Sequence, residues 1–276
     1  MKNKKRVIAV ALVLAIGMCL AGCQQPGQTV TEPTEELIQK DITGMTIIWN
    51  GDSICAGRKD TGAWADRIAN NNAMTYKNYG VGGGVLVEGL YYTSGEPRHS
   101  VSATLEQMYA EYPDADFIIF EGGTNDADLL GNIIVPGEEN KLGSVDPTDF
   151  SGNYDETTFC GALESIFYRA KTLWEGKKIG YIVAQKMGDK NKGGAFYNRR
   201  AYFEKAIEIC KKWEIPYLDL WNGCQLDPSD PAMYDSSKTF EQNLKANTGY
   251  YLDGQHLTAK GYDLTAALIE VWLKTL

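Results

Sequence analysis

From about Met45 onward, short apolar runs alternate with amphipathic stretches of roughly 10 to 20 residues. The apolar runs predict strands at Met45–Asn50, Tyr76–Val81, Asp116–Glu121, Lys178–Gln185 and Pro216–Leu220. The amphipathic stretches predict helices near Gly62–Asn71, Ser100–Tyr112, Asp155–Glu175, Phe196–Glu214 and Thr258–Leu276. Strands joined through helices pair in parallel, because a parallel connection needs a crossover. We therefore predict an α/β domain, a three-layer α/β/α sandwich around a five-stranded parallel sheet.

Two connections in this pattern are unusually long, residues 127–154 and 221–251. Connections of such length without regular structure are uncommon inside a compact domain and often cover an active site. In the predicted order both follow the carboxyl end of a strand, which is where open parallel sheets bind their ligands. Residues that directly follow strands are therefore the strongest candidates for chemistry.

The first residues of the chain depart from this alternation. Four basic residues precede an apolar run of about 14 residues, VIAVALVLAIGMCL, and small residues follow it. The run is shorter than the roughly 20 residues that cross a bilayer as a helix, so the layout predicts a signal peptide over residues 1–22. Its ending, Leu-Ala-Gly-Cys, resembles the lipobox of bacterial lipoproteins, which implies lipidation of Cys23. The alternative is secretion after cleavage nearby, with Cys23 unmodified.

The polar residues 23–44 predict a flexible tether, because they contain two prolines and no aromatic residue. Residues 45–276 form the predicted folded domain. Together these features predict an exported protein on the cell surface or the periplasmic face of a membrane, which it would contact through the lipid anchor only.

The composition is that of a globular protein, with 43% hydrophobic residues among 276, enough for one large core. Lys and Arg number 27 and Asp and Glu 36, which gives a net charge of −9 at pH 7. Removing the leader takes away four basic residues, which leaves 23 against 36 and a net charge of −13. So acidic a surface repels nucleic acid and anionic headgroups, and we expect neither as a partner. The sequence leaves the oligomeric state open.

The histidines and cysteines limit the chemistry further. The chain has two histidines, His99 and His256, and no HExxH, CxxC or aspartate-rich calcium loop, so we expect no metal site. The glycine run at residues 80–85 lacks the third glycine of a dinucleotide loop and the lysine of a P-loop, so we expect no cofactor. The spacing of the remaining cysteines leaves disulfides and free buried thiols equally open, at Cys55, Cys160, Cys210 and Cys224.

Nucleophilic catalysis needs a nucleophile, a base, a group that orients the base, and donors for an oxyanion. Ser53 follows the first predicted strand in the turn WNGDSICAG, which lets its side chain project. Gly83 follows the second strand, where a residue without a Cβ lets a backbone N–H approach a substrate. Asn125 follows the third strand, and its side-chain amide is a hydrogen-bond donor. Each residue taken alone is more typical of a turn or a helix cap.

Asp253 and His256 lie directly before Thr258, a suitable N-cap for the last predicted helix. A separation of three residues in a turn lets the carboxylate bind His Nδ1, which leaves Nε2 facing a nucleophile. Asp52 is adjacent to Ser53, but we expect it to bond backbone in the turn. His99 is expected at the surface or at the start of a helix.

In order and spacing, these residues resemble the conserved blocks of the SGNH hydrolases, also called the GDSL esterase and lipase family. The blocks are GDSxxxG, an asparagine-led block that ends in an oxyanion glycine, GxND and DxxH. This sequence supplies them at Gly51–Gly57, Asn78–Gly83, Gly123–Asp126 and Asp253–His256. Ile54 stands where the family usually has leucine, and three consecutive glycines leave Gly82 as an alternative to Gly83.

The resemblance implies a flavodoxin-like SGNH hydrolase fold and a serine esterase that needs no cofactor. It implies that Ser53 attacks an ester carbonyl, that His256 moves the proton and that Asp253 orients His256. It further implies an oxyanion hole made by the N–H groups of Ser53 and Gly83 and by the Asn125 amide.

The predicted position at a cell surface favours a small acyl ester as substrate, with acetyl groups on carbohydrates preferred. The same family includes lipases, lysophospholipases and thioesterases, which are the alternatives within the class. The alternative from another class is a non-catalytic solute-binding lipoprotein, which would share the leader and the tether.

Overall fold

The structure, a computed structural model, describes residues 39–92, 94–130, 141–188 and 195–276. The predicted signal peptide, Cys23 and most of the predicted tether lie outside the described residues. The strands are β1 (Thr46–Asn50), β2 (Thr75–Asn78), β3 (Phe117–Glu121), β4 (Lys178–Val183) and β5 (Tyr217–Asp219). The helices are α1 (Ser53–Ala56), α2 (Trp64–Asn72), α3 (Val101–Glu111), α4 (Thr124–Leu130), α5 (Phe159–Leu173), α6 (Ala195–Trp213), α7 (Leu220–Gly223), α8 (Phe240–Ala246) and α9 (Ala259–Leu273).

The strands form one parallel sheet in the order β2-β1-β3-β4-β5. Right-handed crossovers determine the face on which each connecting helix lies. The connection from β1 to β2 leads toward one edge of the sheet and contains α2. The later connections lead toward the opposite edge and contain α3, α5 and α6. Accordingly α2 packs against α9, and α3, α5 and α6 pack in a row. The predicted three-layer α/β/α sandwich is confirmed, with a flavodoxin-like strand order.

The central strands β1, β3 and β4 are buried along most of their length, because helices cover both faces of the sheet. The edge strand β2 is mostly exposed and ends at Asn78, three residues before the predicted end at Val81. The side chain of Asn78 explains this difference. It accepts from the N–H of Gly80 at 2.9 Å and donates to the carbonyl of Cys55 at 2.9 Å, which turns the chain away from the sheet.

The hydrophobic pattern does not predict four short helices, α1, α4, α7 and α8. Each has only four or seven residues, too few to show an amphipathic period. Three of them begin just beyond strand ends, α1 after β1, α4 after β3 and α7 after β5. The predicted start of α5 at Asp155 is also early, because the hydroxyl of Thr158 caps the helix by accepting from the N–H of Gly161 at 3.1 Å.

The last residues of the predicted tether pack against the domain. Ile42 is fully buried, and the N–H of Gly44 donates to the carbonyl of Asn72 at 3.0 Å. The N–H of Lys40 donates to the carbonyl of Lys274 at 2.7 Å. The packed part of the chain therefore reaches back at least to Lys40.

All four cysteines of the described residues are buried and carry free thiols, namely Cys55, Cys160, Cys210 and Cys224. Burial raises the pKa of each of these thiols, since the thiolate would lose its hydration. Within the part of the chain that the structure describes, no helix is long and apolar enough to span a bilayer.

Candidate active site

Ser53 is the first residue of α1, in the tight turn that follows β1. Asp52 caps this helix, because its Oδ1 accepts from the N–H of Ile54 at 2.8 Å. The expectation that Asp52 bonds backbone in the turn is thus confirmed. The N–H of Ser53 donates to no other described residue, as expected at the first turn of a helix. The turn leaves both the Oγ and the N–H of Ser53 able to meet a ligand.

His256 lies beside Ser53, although 203 residues separate them in the chain. The Nε2 of His256 is 2.9 Å from the Oγ of Ser53. On the other side of the ring, Nδ1 is 2.9 Å from Oδ2 of Asp253. Oδ1 of Asp253 accepts from the N–H groups of Gln255 and His256 at 3.1 and 2.8 Å, so the turn itself holds this carboxylate. A proton held on Nδ1 leaves Nε2 as an acceptor for the serine hydroxyl.

Residues 81–84 form a tight turn after β2, closed by a 2.9 Å hydrogen bond from the N–H of Gly84 to the carbonyl of Val81. Gly83 has a φ of 78°, which glycine adopts without strain at the third position of such a turn. A Cβ on Gly83 would lie 2.9 Å from the hydroxyl of Tyr92. The N–H groups of Gly82 and Gly83 donate to no described residue, so both glycines offer a donor.

Two side chains from the loop between β2 and α3 hold this glycine turn. The hydroxyl of Tyr92 donates to the carbonyl of Gly82 at 2.9 Å. Nη1 of Arg98 donates to the carbonyl of Gly83 at 2.9 Å, and its guanidinium carbon is 4.2 Å from the centre of the Tyr92 ring. The C=O and N–H of a trans peptide point in opposite directions. Holding the Gly82 carbonyl therefore directs the N–H of Gly83 to the other side.

Asn125 lies in the first turn of α4, directly after β3. Its Nδ2 donates to the carbonyl of Gly84 at 2.8 Å. An amide nitrogen carries two protons, so one is left for a ligand. The N–H of Val81 donates to the carbonyl of Gly51 at 3.1 Å, which ties the same glycine turn to the Ser53 turn. The predicted residues Ser53, Gly83 and Asn125 thus lie in one hydrogen-bonded set of loops at the carboxyl ends of β1, β2 and β3.

Three fully buried carboxyl groups lie among these loops, those of Asp52, Glu121 and Asp126. Burial raises the pKa of all three, because the charged form loses its hydration. The carboxyl of Asp126 accepts from the N–H groups of Leu86 and Val87 at 2.9 and 3.3 Å, and its pKa is raised to about 7. Among the described residues, no group of three or more His, Cys, Asp or Glu side chains is arranged to hold a metal ion.

His99 stands apart from the Ser53–His256–Asp253 hydrogen bonds. It precedes the N-cap Ser100 of α3, so it is at the helix start that the sequence suggested. Its ring is half-buried, however, and its Nε2 is 3.0 Å from Oδ1 of Asn50 at the end of β1. Burial lowers the pKa of His99, because the imidazolium form would lose its hydration.

The surroundings of His256 are partly aromatic. The ring of Phe240 is 6.4 Å from that of His256, centre to centre, and the guanidinium carbon of Arg58 is 4.8 Å from the centre of the Phe240 ring.

A cavity of about 650 Å³ adjoins the Asp253 turn. Gly188 lies on the wall of this cavity, and its N–H donates to the carbonyl of Gly254 at 2.7 Å. Aromatic and polar side chains line this cavity together, among them Trp221, Tyr234, Lys186, Ser229 and Ser236.

A family model described as the GDSL-like lipase/acylhydrolase family matches residues 50–264. The chain belongs to this family. The match spans every site residue discussed above, from Ser53 to His256. Membership of this family makes the protein an enzyme that hydrolyses ester bonds. A comparison of the acylhydrolase with curated proteins gave no match.

Several solved structures are similar to the acylhydrolase. The lipase/acylhydrolase from Enterococcus faecalis has 17% identity and a TM-score of 0.52, over 83% of this chain and 95% of that one. The aryl esterase of M. smegmatis has 13% identity and a TM-score of 0.55, over 84% and 100% of the two chains. A carbohydrate acetylesterase family member from Sinorhizobium meliloti has 13% identity and a TM-score of 0.53, over 83% and 97%. At such low identities the similarity establishes a shared fold.

No sequence motif points to Glu121, Tyr92 or Arg98, which the structure brings to the site. Glu121 is an acidic residue at the end of an otherwise apolar and fully buried strand, and that position was the available signal for it. Tyr92 and Arg98 lie in a loop whose path depends on tertiary contacts with the glycine turn.

Proposed function

We propose that this acylhydrolase is a serine esterase in which Ser53 is the nucleophile, His256 the general base and Asp253 the residue that orients His256. The two 2.9 Å contacts, from Ser53 Oγ to His256 Nε2 and from His256 Nδ1 to Asp253 Oδ2, carry the proposal. Both distances are in the range expected for a nucleophile, its base and the group that orients the base.

Acylation begins when Ser53 Oγ attacks the ester carbonyl carbon and His256 Nε2 takes the hydroxyl proton. The charge on His256 is then stabilised by Asp253, which accepts from Nδ1 and keeps the ring in place. The tetrahedral intermediate collapses by breaking the bond to the alcohol. His256 gives the proton to the leaving alcohol oxygen, and the acyl group stays on Ser53.

The oxyanion of the intermediate is held by the N–H groups of Ser53 and Gly83 and by the Asn125 amide. We choose Gly83 over Gly82 because Gly83 lies five residues after Asn78, which leads the family's second block, and the Tyr92 hydroxyl also holds the peptide that carries the Gly83 N–H. Donors fixed before the reaction stabilise the oxyanion more than donors that must reorient, since no reorganisation is needed as the charge develops.

Deacylation follows the same path with water in place of the serine hydroxyl. Water activated by His256 attacks the acyl-enzyme and releases the acid.

The substrate in this proposal is a short acyl ester, with acetyl groups on carbohydrates as the preferred class. The cavity beside the Asp253 turn is a place for the carbohydrate part of such a substrate, because Trp221 and Tyr234 offer aromatic surface next to the polar groups of Lys186 and Ser229. Ser53 and His256 are not among the described residues that line it. Sites with apolar surface and a few placed polar groups are typical of small-molecule binding. The similar fold of a carbohydrate acetylesterase family member supports the same class.

For location, we propose export and anchoring through a lipid on Cys23, as the leader sequence indicates. Membrane and soluble fractions of cells that produce the full chain test this. The native chain is expected in the membrane fraction and Cys23→Ala in the soluble fraction. Equal partition of the two chains would contradict a lipid on Cys23.

A fluorophosphonate probe tests the nucleophile, because it reacts covalently with an activated serine hydroxyl. The native enzyme is expected to be labelled on Ser53, whereas Ser53→Ala is not. Ser151→Ala, which changes an exposed serine, is the matched control and is expected to label like the native enzyme. Absence of labelling in the native enzyme, together with binding of a sugar or peptide, would support a solute-binding role instead.

Initial rates on p-nitrophenyl esters from acetate to palmitate test the acyl class. We expect the highest kcat/KM on acetate and release of acetate from an acetylated oligosaccharide. A preference for the long chains would replace the glycan proposal with a lipase or lysophospholipase, and faster turnover of thioesters would indicate a thioesterase. Tyr234→Ala is expected to raise KM for the oligosaccharide more than KM for p-nitrophenyl acetate.

A further inference from the structure

Two of the buried carboxyl groups belong to the structure that supports Ser53. Glu121 ends β3, and Asp52 caps α1, immediately before Ser53. Both residues are 0% exposed. Among the described residues, no ion pair joins either carboxyl to a lysine or arginine. Fully buried acids without a cationic partner are rare, because an ionised carboxylate loses much of its hydration on burial.

The backbone of the Ser53 turn is bound to these two carboxyls. Oε2 of Glu121 accepts from the N–H groups of Asp52 and Cys55, each at 3.3 Å. Oδ1 of Asp52 accepts from the N–H of Ile54 at 2.8 Å. The approach of Glu121 is close, since a Cβ on Gly51 would lie 2.8 Å from its Oε2. The amides on both sides of Ser53 are therefore held by acidic side chains.

The second oxygen of each carboxyl has no well-formed hydrogen bond to a described residue. These two atoms, Oε1 of Glu121 and Oδ2 of Asp52, are both buried. The charge of Asp52 raises the pKa of Glu121, so the two carboxyl groups are close neighbours, and the hydroxyl of Thr124 also approaches Asp52. A hydrogen bond from the Thr124 hydroxyl to Asp52 would still leave Oε1 of Glu121 without a donor. One proton shared between the carboxyls satisfies both atoms and leaves a single negative charge instead of two.

We infer that Glu121 is a positioning residue for Ser53: it shares one proton with Asp52, and this acid pair holds the turn that places Ser53 Oγ against His256. Glu121 does not contact the reacting atoms and acts through Asp52 and the turn. The inference rests on the proposed function only for its effect on turnover. The shared proton itself is a property of the folded chain.

The titratable groups around Asp52 and Glu121 favour the state in which one of these two carboxyls is protonated and neutral. Cys55 of α1, Tyr181 of β4 and Tyr262 of α9 have pKa values that burial raises, so they stay uncharged beside it. Asp126 of α4 adds negative charge near Asp52 when it ionises, and His256 is the one group that lowers the pKa of Asp52 by its charge. The pKa of Glu121 is raised well above its usual range, first by burial and then by the charge of Asp52. The proton is therefore released only at a higher pH than that at which an exposed glutamate ionises.

Loss of this proton places two carboxylates side by side in a buried site, and their repulsion displaces the turn. The native enzyme is thus expected to lose kcat reversibly on the alkaline side of its optimum. In Glu121→Gln the amide oxygen still accepts from the turn and the amide N–H donates to Asp52 at every pH. This variant is expected to keep kcat within about threefold of the native value and to lose the alkaline fall.

Two comparisons separate this role from mere packing. Glu121→Leu fills the space but cannot bond the turn, so we expect kcat to fall about tenfold or more with KM within about twofold. Asp126→Asn removes a buried carboxyl outside the turn and is expected to keep the alkaline fall. An alkaline fall in Glu121→Gln that equals the native one would overturn the inference. So would a kcat in folded Glu121→Gln as low as that of Glu121→Leu.

Infrared spectroscopy tests the proton without relying on activity. In the Asp126→Asn background, we expect the carbonyl stretch of a buried, protonated carboxylic acid at pH 7, and we expect its loss when Glu121→Gln is added. Persistence of the band in the double variant, or its absence before the addition, overturns proton sharing. If fluorophosphonate fails to label Ser53, the proposed function fails, whereas the infrared result still decides whether the acid pair exists.

Discussion

The hydroxyl of Tyr92 donates to the carbonyl of Gly82 at 2.9 Å. The peptide group that carries this carbonyl also carries the N–H of Gly83, the proposed oxyanion donor. Because the two groups of a trans peptide point in opposite directions, a bond on one side determines the direction of the other. The hydroxyl of Tyr92 thus helps to set the direction of the proposed oxyanion donor.

Tyr92→Phe keeps the ring under the guanidinium of Arg98 and removes only the hydroxyl. We expect kcat on p-nitrophenyl acetate to fall about 3- to 10-fold with KM nearly unchanged, because Gly83 keeps its N–H but loses its fixed direction. Tyr91→Phe is the matched control, since Tyr91 is 61% exposed and precedes Tyr92 directly. Equal loss of kcat in both variants would contradict a role for the Tyr92 hydroxyl.

Asn125→Ala is expected to lower kcat on the order of 10²–10³, the usual cost of losing one oxyanion donor. KM is expected to change little, because the interaction strengthens only as the oxyanion forms. Steady-state kinetics of the variant provides the measurement. Asn71→Ala, at an exposed position near the end of α2, controls for the substitution itself. Turnover equal to that of the native enzyme would remove Asn125 from the oxyanion hole.

Asp126 makes the stability of the domain depend on pH. Its pKa is raised by burial from 3.8 to about 7, so the folded chain keeps a proton that the unfolded chain has released. The stabilisation is fully present below about pH 4 and is lost as the pH rises to about 7. Asp126→Asn cannot ionise, and we expect it to gain on the order of 4 kcal/mol relative to the native chain between pH 4 and 8.

Urea unfolding of both chains at several pH values measures this difference. Asp126→Asn retains a side-chain oxygen that accepts from the N–H groups of Leu86 and Val87. The difference in the free energy of unfolding between the two chains therefore reports the ionisation of Asp126. A free-energy difference between the two chains that is constant over the whole pH range would show that Asp126 is already ionised in the fold.

The buried thiols are expected to be unreactive in the folded domain. In a chain shortened to begin at Gln39, we expect no rapid reaction of a thiol reagent with the folded protein and full reaction of all four cysteines after unfolding. A reductant is expected to leave the Tm unchanged, since the described cysteines are free. A drop in Tm with dithiothreitol would instead reveal a disulfide.

The fold was predictable because its strands are short apolar runs and its main helices are long enough to show a period. FIIF in β3 and the helix α9 (Ala259–Leu273) are clear examples. The edge strand β2 was less predictable, because its side chains are mostly exposed and its end depends on bonds that Asn78 makes to another loop. Helices of four or seven residues leave no periodic signal at all.

The site was predictable where its residues follow strands or stand in a motif, as Ser53, Asn125 and His256 do. Glu121 and Tyr92 could not be found this way, since their roles arise from contacts with turns that are distant in sequence. Glu121 bonds the turn at residues 52–55, and Tyr92 bonds the turn at residues 81–84. Such contacts exist only once the sheet has brought the loops together.

The 203 residues between Ser53 and His256 have a consequence for synthesis. A ribosome releases the proposed nucleophile long before the proposed base, and a domain generally folds as a unit. His256 reaches Ser53 only when the turn before α9 is in place, and α9 packs on α2 near the start of the domain. In the proposed mechanism a nascent chain therefore carries an inert serine, and hydrolytic activity is expected to begin only when the two ends of the domain have joined.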